Sequence, residues 1–175
     1  MEESNQINGC KLLSLSGFSL VLSLVCLPIG AASAENLPSQ PMAYMNLAVN
    51  EFVYNPRSLE WKAINHKGKV VKTGRGSGGQ SYCSDIKRSC RTPAGTYNVI
   101  GKGGPGCKSS RYPVGKGGAP MPYCMYFSKN YAIHGSYDLP KRNASHGCVR
   151  VRPSDAKWLN QNFVGVGTRV VIKPY

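Results

Sequence analysis

The apolar and polar positions of this chain change pattern several times, and each change marks an element. "LEWKAINHKGKVVKTG", residues 59–74, alternates apolar and polar positions on either side of "NHKG". It predicts a strand, a turn favoured by Gly68, and a second strand. His66 lies in that turn and reads as a solvated turn residue. "TPAGTYNVI", 92–100, is a Pro-Ala-Gly turn leading into a strand, and "PYCMYF-SKN-YAIH" predicts a hairpin ending at His134. "CVRV" begins another strand, stopped by Pro153, and "TRVVIKP" predicts the closing one. Only "SDAKWLNQNF" has helical spacing. Ala156, Leu159 and Phe163 fall on one stripe, with Ser154 as the expected N-cap and Asp155 in the first turn. Residues 101–121 read as loop, and the two "GKGG" copies inside it are loop composition rather than a repeat. Many short strands, Gly/Pro turns and one short helix near the C-terminus predict a mainly β fold, a sandwich or a barrel.

The first residues follow a different pattern. "LLSLSGFSLVLSLVCLP" is apolar and uncharged, Pro28 and Gly30 break it, and "AASAE" offers an A-x-A cleavage site after Ala34. Residues 1–34 therefore read as a secretory signal peptide, with an uncleaved anchor as the competing reading. Cys26 is set aside as a lipid-attachment site because Val25 precedes it where a small residue is expected. Residues 35–47 read as a leader, and 48–175 as one domain. The expected compartment is the periplasm or cell envelope, with no membrane span left once the signal is cleaved.

Charge narrows the partners. Beyond residue 34 there are 21 Lys+Arg and 6 Asp+Glu, a net charge of +15. Such a field attracts an envelope polymer, an anionic lipid face or an acidic substrate. The basic residues are scattered from Arg57 to Lys173 and build no groove-reading helix, so nucleic acid is not an expected partner.

Two glycine-rich stretches imitate cofactor loops and fail. "GRGSGG", 74–79, has the G-x-G-x-x-G spacing, but "QSYCSDIK" after it opens no amphipathic helix. In "GKGGPGCKSS" Cys107 separates the glycine from Lys108, which breaks a phosphate loop. No cofactor is expected.

Five cysteines remain after the signal, an odd number for an oxidising compartment. Proximity in the chain pairs Cys83 with Cys90 and Cys107 with Cys124, leaving Cys148. A thiol becomes nucleophilic when a neighbouring group takes or holds its proton. Two histidines are available. His134 ends a strand, and the turn-rich "GSYDLPKRNASHGC" returns the chain to Cys148. His146 is two residues before Cys148, on the same face of an extended backbone. Gly147 permits a tight turn, and amide N–H groups around Gly147 and Cys148 suit an oxyanion. A buried structural cysteine is the plain alternative. A zinc site from His134, His146 and Cys148 lacks a fourth ligand, so no metal is expected. Arg150 reads either as a solvated strand residue or as a fork for a substrate carboxylate. "NAS", 143–145, matches a glycosylation sequon by accident.

"YAIHGSYDLPKRNASHGCVRV" resembles the signature of the L,D-transpeptidases, the YkuD-type catalytic domain. "TPAGTYNV" and "MPYCMYF" resemble that family's upstream segments, and the likeness covers residues 48–175. The resemblance implies a β-rich fold and a cysteine acyl-enzyme working on peptidoglycan stem peptides. Cys148 would attack the carbonyl of the third stem residue, a diamino acid, release the terminal D-alanine, and pass the thioester to an amine. It implies that His134 is the base, oriented by the Gly135 carbonyl. Ser145, His146 and Gly147 would shape the pocket, and the Gly147 and Cys148 N–H groups would form the oxyanion hole. Arg150 would anchor a loop or bind substrate, and Tyr123 would bind substrate. The acceptor stays open among a second stem, a lipoprotein lysine, a free D-amino acid and water, the last making a carboxypeptidase. An inactive basic envelope-binding protein is the opposing class. The segment from His134 to Ser145 is shorter than is usual in that family, and its paired cysteines are not expected there.

Overall fold

A computed structural model describes residues 49–175. The expected signal peptide and leader lie outside the described residues, and the domain expected from residue 48 is described from 49 onward. Nine strands form one mixed sheet in the order β4-β9-β1-β2-β3-β8-β7-β6-β5, curled into a half-barrel rather than paired as a sandwich.

Strands β2 (Glu60–Ile64) and β3 (Val70–Ser77) are the predicted hairpin, with Gly68 at φ +75° in its turn. His66 is exposed there. Strand β1 (Glu51–Asn55) was not expected from the sequence. It sits between antiparallel β2 and parallel β9 (Arg169–Ile172), and Phe52, Val53 and Tyr54 are buried in succession, so no alternation marks it. Strand β4 (Gly95–Asn98) closes one edge against β9, and the two-residue β5 (Gly101–Lys102) closes the other, inside the stretch expected to be loop. The predicted second hairpin is β6 (Met125–Ser128) with β7 (Tyr131–Gly135). Strand β8 (Val149–Val151) then lies parallel to β7 and antiparallel to β3.

One core cluster buries Phe52, Tyr54, Trp61, Met125, Ile133 and Leu159. The helix α1 (Pro153–Trp158) covers this core and packs against β7. Its N-cap is Arg152 rather than the expected Ser154. Pro153 takes the first helical position, where its missing N–H leaves nothing unsatisfied, and pushes Ser154 into the first turn. Asp155 sits in that turn and pairs with Lys72 at 3.0 Å. After Trp158 the chain widens into a π-helical turn, Leu159–Phe163. Lys102 Nζ donates to the Val164 carbonyl at 2.7 Å and also to that of Asn160, satisfying acceptors at the helical end. Among the described residues no helix is long and apolar enough to cross a membrane.

Candidate active site

The parallel pairing of β7 with β8 sets Ile133 opposite Val149 and His134 opposite Arg150. Side chains alternate along a strand, and paired residues share a face. His134 and Arg150 therefore lie on one face with Cys148, which is two residues before Arg150. All three line one cavity, with Ser145, His146 and Asp138. Residues fourteen apart in the chain thus come to line the same cavity.

Two hydrogen bonds prepare the pair. His134 Nδ1 lies 2.9 Å from the Gly135 carbonyl, which can only accept, so the ring proton is on Nδ1 and Nε2 keeps its lone pair. Burial pushes the His134 pKa down to about 4, with the Gly135 bond opposing and Arg150 adding to the fall. Burial also raises the Cys148 thiol, against a hydrogen bond with the Ala132 backbone and the charge of Arg150. The resting pair is thus neutral thiol and neutral imidazole. The imidazolium that would pull the thiol down is not the resting form.

The loop before Cys148 is held by the end of β3. Ser77 Oγ donates to the Arg142 carbonyl at 2.7 Å. The Gly78 carbonyl accepts from the Ala144 and Ser145 N–H groups, each at 2.9 Å, and Gln80 N–H donates to the Ser145 carbonyl at 3.0 Å. Gly78 N–H is shared between Tyr54 Oη at 2.8 Å and Asn143 Oδ1 at 2.9 Å. Burial raises the pKa of the Tyr54 hydroxyl, which donates to Asn143 Oδ1 at 2.7 Å. The Asn143 amide also donates to the Pro56 carbonyl, so the sequon asparagine is spent on structure. "GRGSGG" is thus a clamp on the candidate nucleophile's loop. A Cβ at Gly79 would lie 1.7 Å from the Cys90 carbonyl oxygen.

Ser145 Oγ accepts the Gly147 N–H at 3.0 Å and donates to the Cys148 carbonyl. The Gly147 N–H expected in an oxyanion hole is therefore already engaged. Gly147 has φ +119°, and a Cβ there would lie 2.4 Å from the Tyr131 ring. Arg150 Nη1 donates to Asp138 Oδ2 at 2.6 Å, which ties the 136–144 segment to β8. Tyr123 packs against the main core at φ +58° and is not among the residues lining this cavity.

Both bridges expected from chain proximity are present, Cys83–Cys90 and Cys107–Cys124, and Cys148 is free and partly exposed. The loop closed by Cys107–Cys124 supplies one wall of the cavity, including Arg111, Tyr112 and Met121. The sulfurs of Cys83 and Cys90 lie close to His146, but they are bonded to each other and offer no metal site in this form. Sequence reasoning passed over Asp85 and Asp138. Their scarcity was the available signal, because residues 49–175 contain only five acids: Glu51, Glu60, Asp85, Asp138 and Asp155.

The family model of YkuD, the L,D-transpeptidase catalytic domain, matches residues 52–172, and the chain belongs to this family. Among solved structures it is similar to an L,D-transpeptidase from Xylanimonas cellulosilytica, at 27% identity and a TM-score of 0.60 over 71% of this chain and 60% of that one. It also shares its fold with an L,D-transpeptidase from Mycobacterium smegmatis, at 18% identity and 0.58 over 71% and 58%. L,D-transpeptidase 3 from Mycobacterium tuberculosis, in complex with a faropenem-derived adduct, matches at 19% identity and 0.58 over 72% and 60%. The chain spans about 60% of the length of these structures. No curated protein matches it.

Proposed function

We propose that the chain is an exported L,D-transpeptidase that works in the cell envelope by a Cys148 thioester on peptidoglycan stems. The observation that carries the reading is the β7–β8 register, which pairs His134 with Arg150, two residues after Cys148, so that all three line one cavity. The thiol proton passes to His134 Nε2 as sulfur attacks the carbonyl carbon of the third stem residue. The Cys148 N–H faces the forming oxyanion, and the Gly147 N–H joins it if Ser145 Oγ releases it. The imidazolium then protonates the departing amine of D-alanine, leaving a thioester. An incoming amine gives a proton to the same nitrogen and takes the acyl group, the C–S bond breaks, and the imidazolium returns its proton to the Cys148 sulfur. Another stem, a lipoprotein lysine or a free D-amino acid fits this chemistry, and water gives the carboxypeptidase outcome.

Intact mass after incubation with a penem or carbapenem tests the reading. One covalent adduct is expected on the peptide bearing Cys148, and none in Cys148→Ser. An unmodified wild-type chain, or an adduct that persists in Cys148→Ser, overturns it.

The charge distribution supports an anionic wall as the working surface. Four of the five acids in residues 49–175 are already paired, with Lys72, His146, Arg150 and Arg169, so most of the basic side chains remain unneutralised. Binding to isolated sacculi is expected to fall steadily from low to high salt, because exposed charge is screened over about 10 Å at 0.1 M. Salt-independent retention in a pull-down would contradict this.

A further inference from the structure

His146 lines two cavities, the one holding Cys148 and a polar cleft with Arg88, Ser89 and Tyr131; Arg111, Tyr112 and Asn130 line both as well. Three contacts hold its ring. Its Nε2 lies 2.8 Å from Asp85 Oδ2, Tyr112 packs on it at 4.4 Å between centroids, and the Cys83–Cys90 sulfurs lie within 4.8 Å of a ring nitrogen. A carboxylate facing an imidazole accepts the bond, so Nε2 is the N–H nitrogen.

Asp85 owes its place to the bridge. It lies in the six-residue loop between Cys83 and Cys90, where most residues are exposed. The backbone of that loop is pinned only at its base, by Cys83 and Arg88 exchanging hydrogen bonds and by the Cys90 N–H on the Gln80 carbonyl. Ile86 is its one half-buried residue between the cysteines. Little apolar burial fixes such a loop, so the covalent closure selects the conformation that presents Asp85.

We propose that Asp85 is a positioning residue: carried by the Cys83–Cys90 loop, it fixes the His146 ring in the wall of the cavity that holds Cys148 and so sets how tightly the stem peptide is bound. The ring is one residue from Gly147 and faces the cavity, so its rotation changes the cavity's shape without touching the Cys148–His134 pair. This inference rests on the proposed acyl-transfer reading, and the test separates the two.

Asp85→Ala in the oxidised chain is expected to raise KM for a tetrapeptide stem about tenfold and to leave kcat within about twofold, the pattern of lost ground-state positioning. Asp85→Asn, whose amide oxygen accepts the same bond, is expected to restore most of the loss. Cys83→Ser with Cys90→Ser should raise KM by a similar factor, and adding Asp85→Ala to that pair should raise it no further, because both act through one contact. The ¹⁵N spectrum of His146 gives a readout independent of activity, with an Nε2–H tautomer expected in the wild-type chain and exchange between tautomers in Asp85→Ala. Unchanged KM in Asp85→Ala, fully additive effects, or a wild-type His146 without the Nε2–H tautomer each overturn the proposal while acylation of Cys148 stands. A wild-type chain that forms no Cys148 adduct overturns the proposal together with the functional reading beneath it.

Discussion

His134→Ala is expected to slow acylation of Cys148 by about 10²–10⁴-fold, the range for a positioned general base. His146→Ala should act mainly on binding. The pH profile distinguishes the mechanism from one that starts with a thiolate–imidazolium pair. Burial lowers His134 to about 4, so the base is unprotonated from there upward, and the thiol, raised by the same burial, keeps its proton at neutral pH. Acylation by the wild-type chain should rise through about pH 4 as His134 loses its proton, then stay level across neutrality. Without the imidazole only the pre-formed thiolate can attack. The His134→Ala rate should therefore climb about tenfold per pH unit through the neutral range. A stopped-flow acylation series on both proteins checks this. Parallel profiles, or equal losses at His134 and His146, would move the base role away from His134.

The second large effect lies outside the cavity. Gly79→Ala is expected to destabilise the fold by about 3 kcal/mol or more, above the usual cost of overpacking. The added Cβ would sit 1.7 Å from the Cys90 carbonyl oxygen, 2.7 Å from its carbon and 2.8 Å from the Thr92 nitrogen. These are backbone atoms, so no rotamer change relieves the clash. Gly79 N–H also donates to Thr92 Oγ1 at 2.9 Å, and its carbonyl accepts from Tyr175 Oη at 2.8 Å. The segment after β3 must therefore leave a well-bonded place to make room. Denaturant melts should show a lower midpoint, together with loss of Cys148 reactivity as the Ser145 clamp loosens. A wild-type midpoint in Gly79→Ala would mean that this segment does not hold the loop.

Local features were the legible part of this chain. The β2–β3 hairpin showed its alternation and its turn glycine, and both bridges followed from cysteines close in sequence. Strand β1 gave no such signal, because both of its faces are covered at Phe52, Val53 and Tyr54 and no period survives. "GRGSGG" was legible only as a failed cofactor motif. Its glycines answer to Trp61, Tyr54, Cys90, Thr92 and Tyr175, partners at least 11 residues away that no local pattern reveals. At the site, Cys148 and His134 stood out by residue type and by their resemblance to a known signature. Asp85 did not. Its contact with His146 spans 61 residues and depends on a loop shaped by a disulfide.

The parallel register of β7 and β8 also frees the segment between them. His134 and Cys148 are spaced by the ladder on either side of residues 136–147, not by the length of that segment. Its tip, Tyr137, is 94% exposed. Its two flanks are fastened separately, by Ser136 N–H on the Val151 carbonyl and by Arg75 on the Leu139 carbonyl. A peptide spliced in after Tyr137 would lengthen the excursion and leave the spacing of the reactive pair unchanged, and closing a longer loop costs only about 0.6 kcal/mol per doubling. This turn is therefore a place where the chain can accept a label, a tether or a borrowed recognition loop beside Cys148.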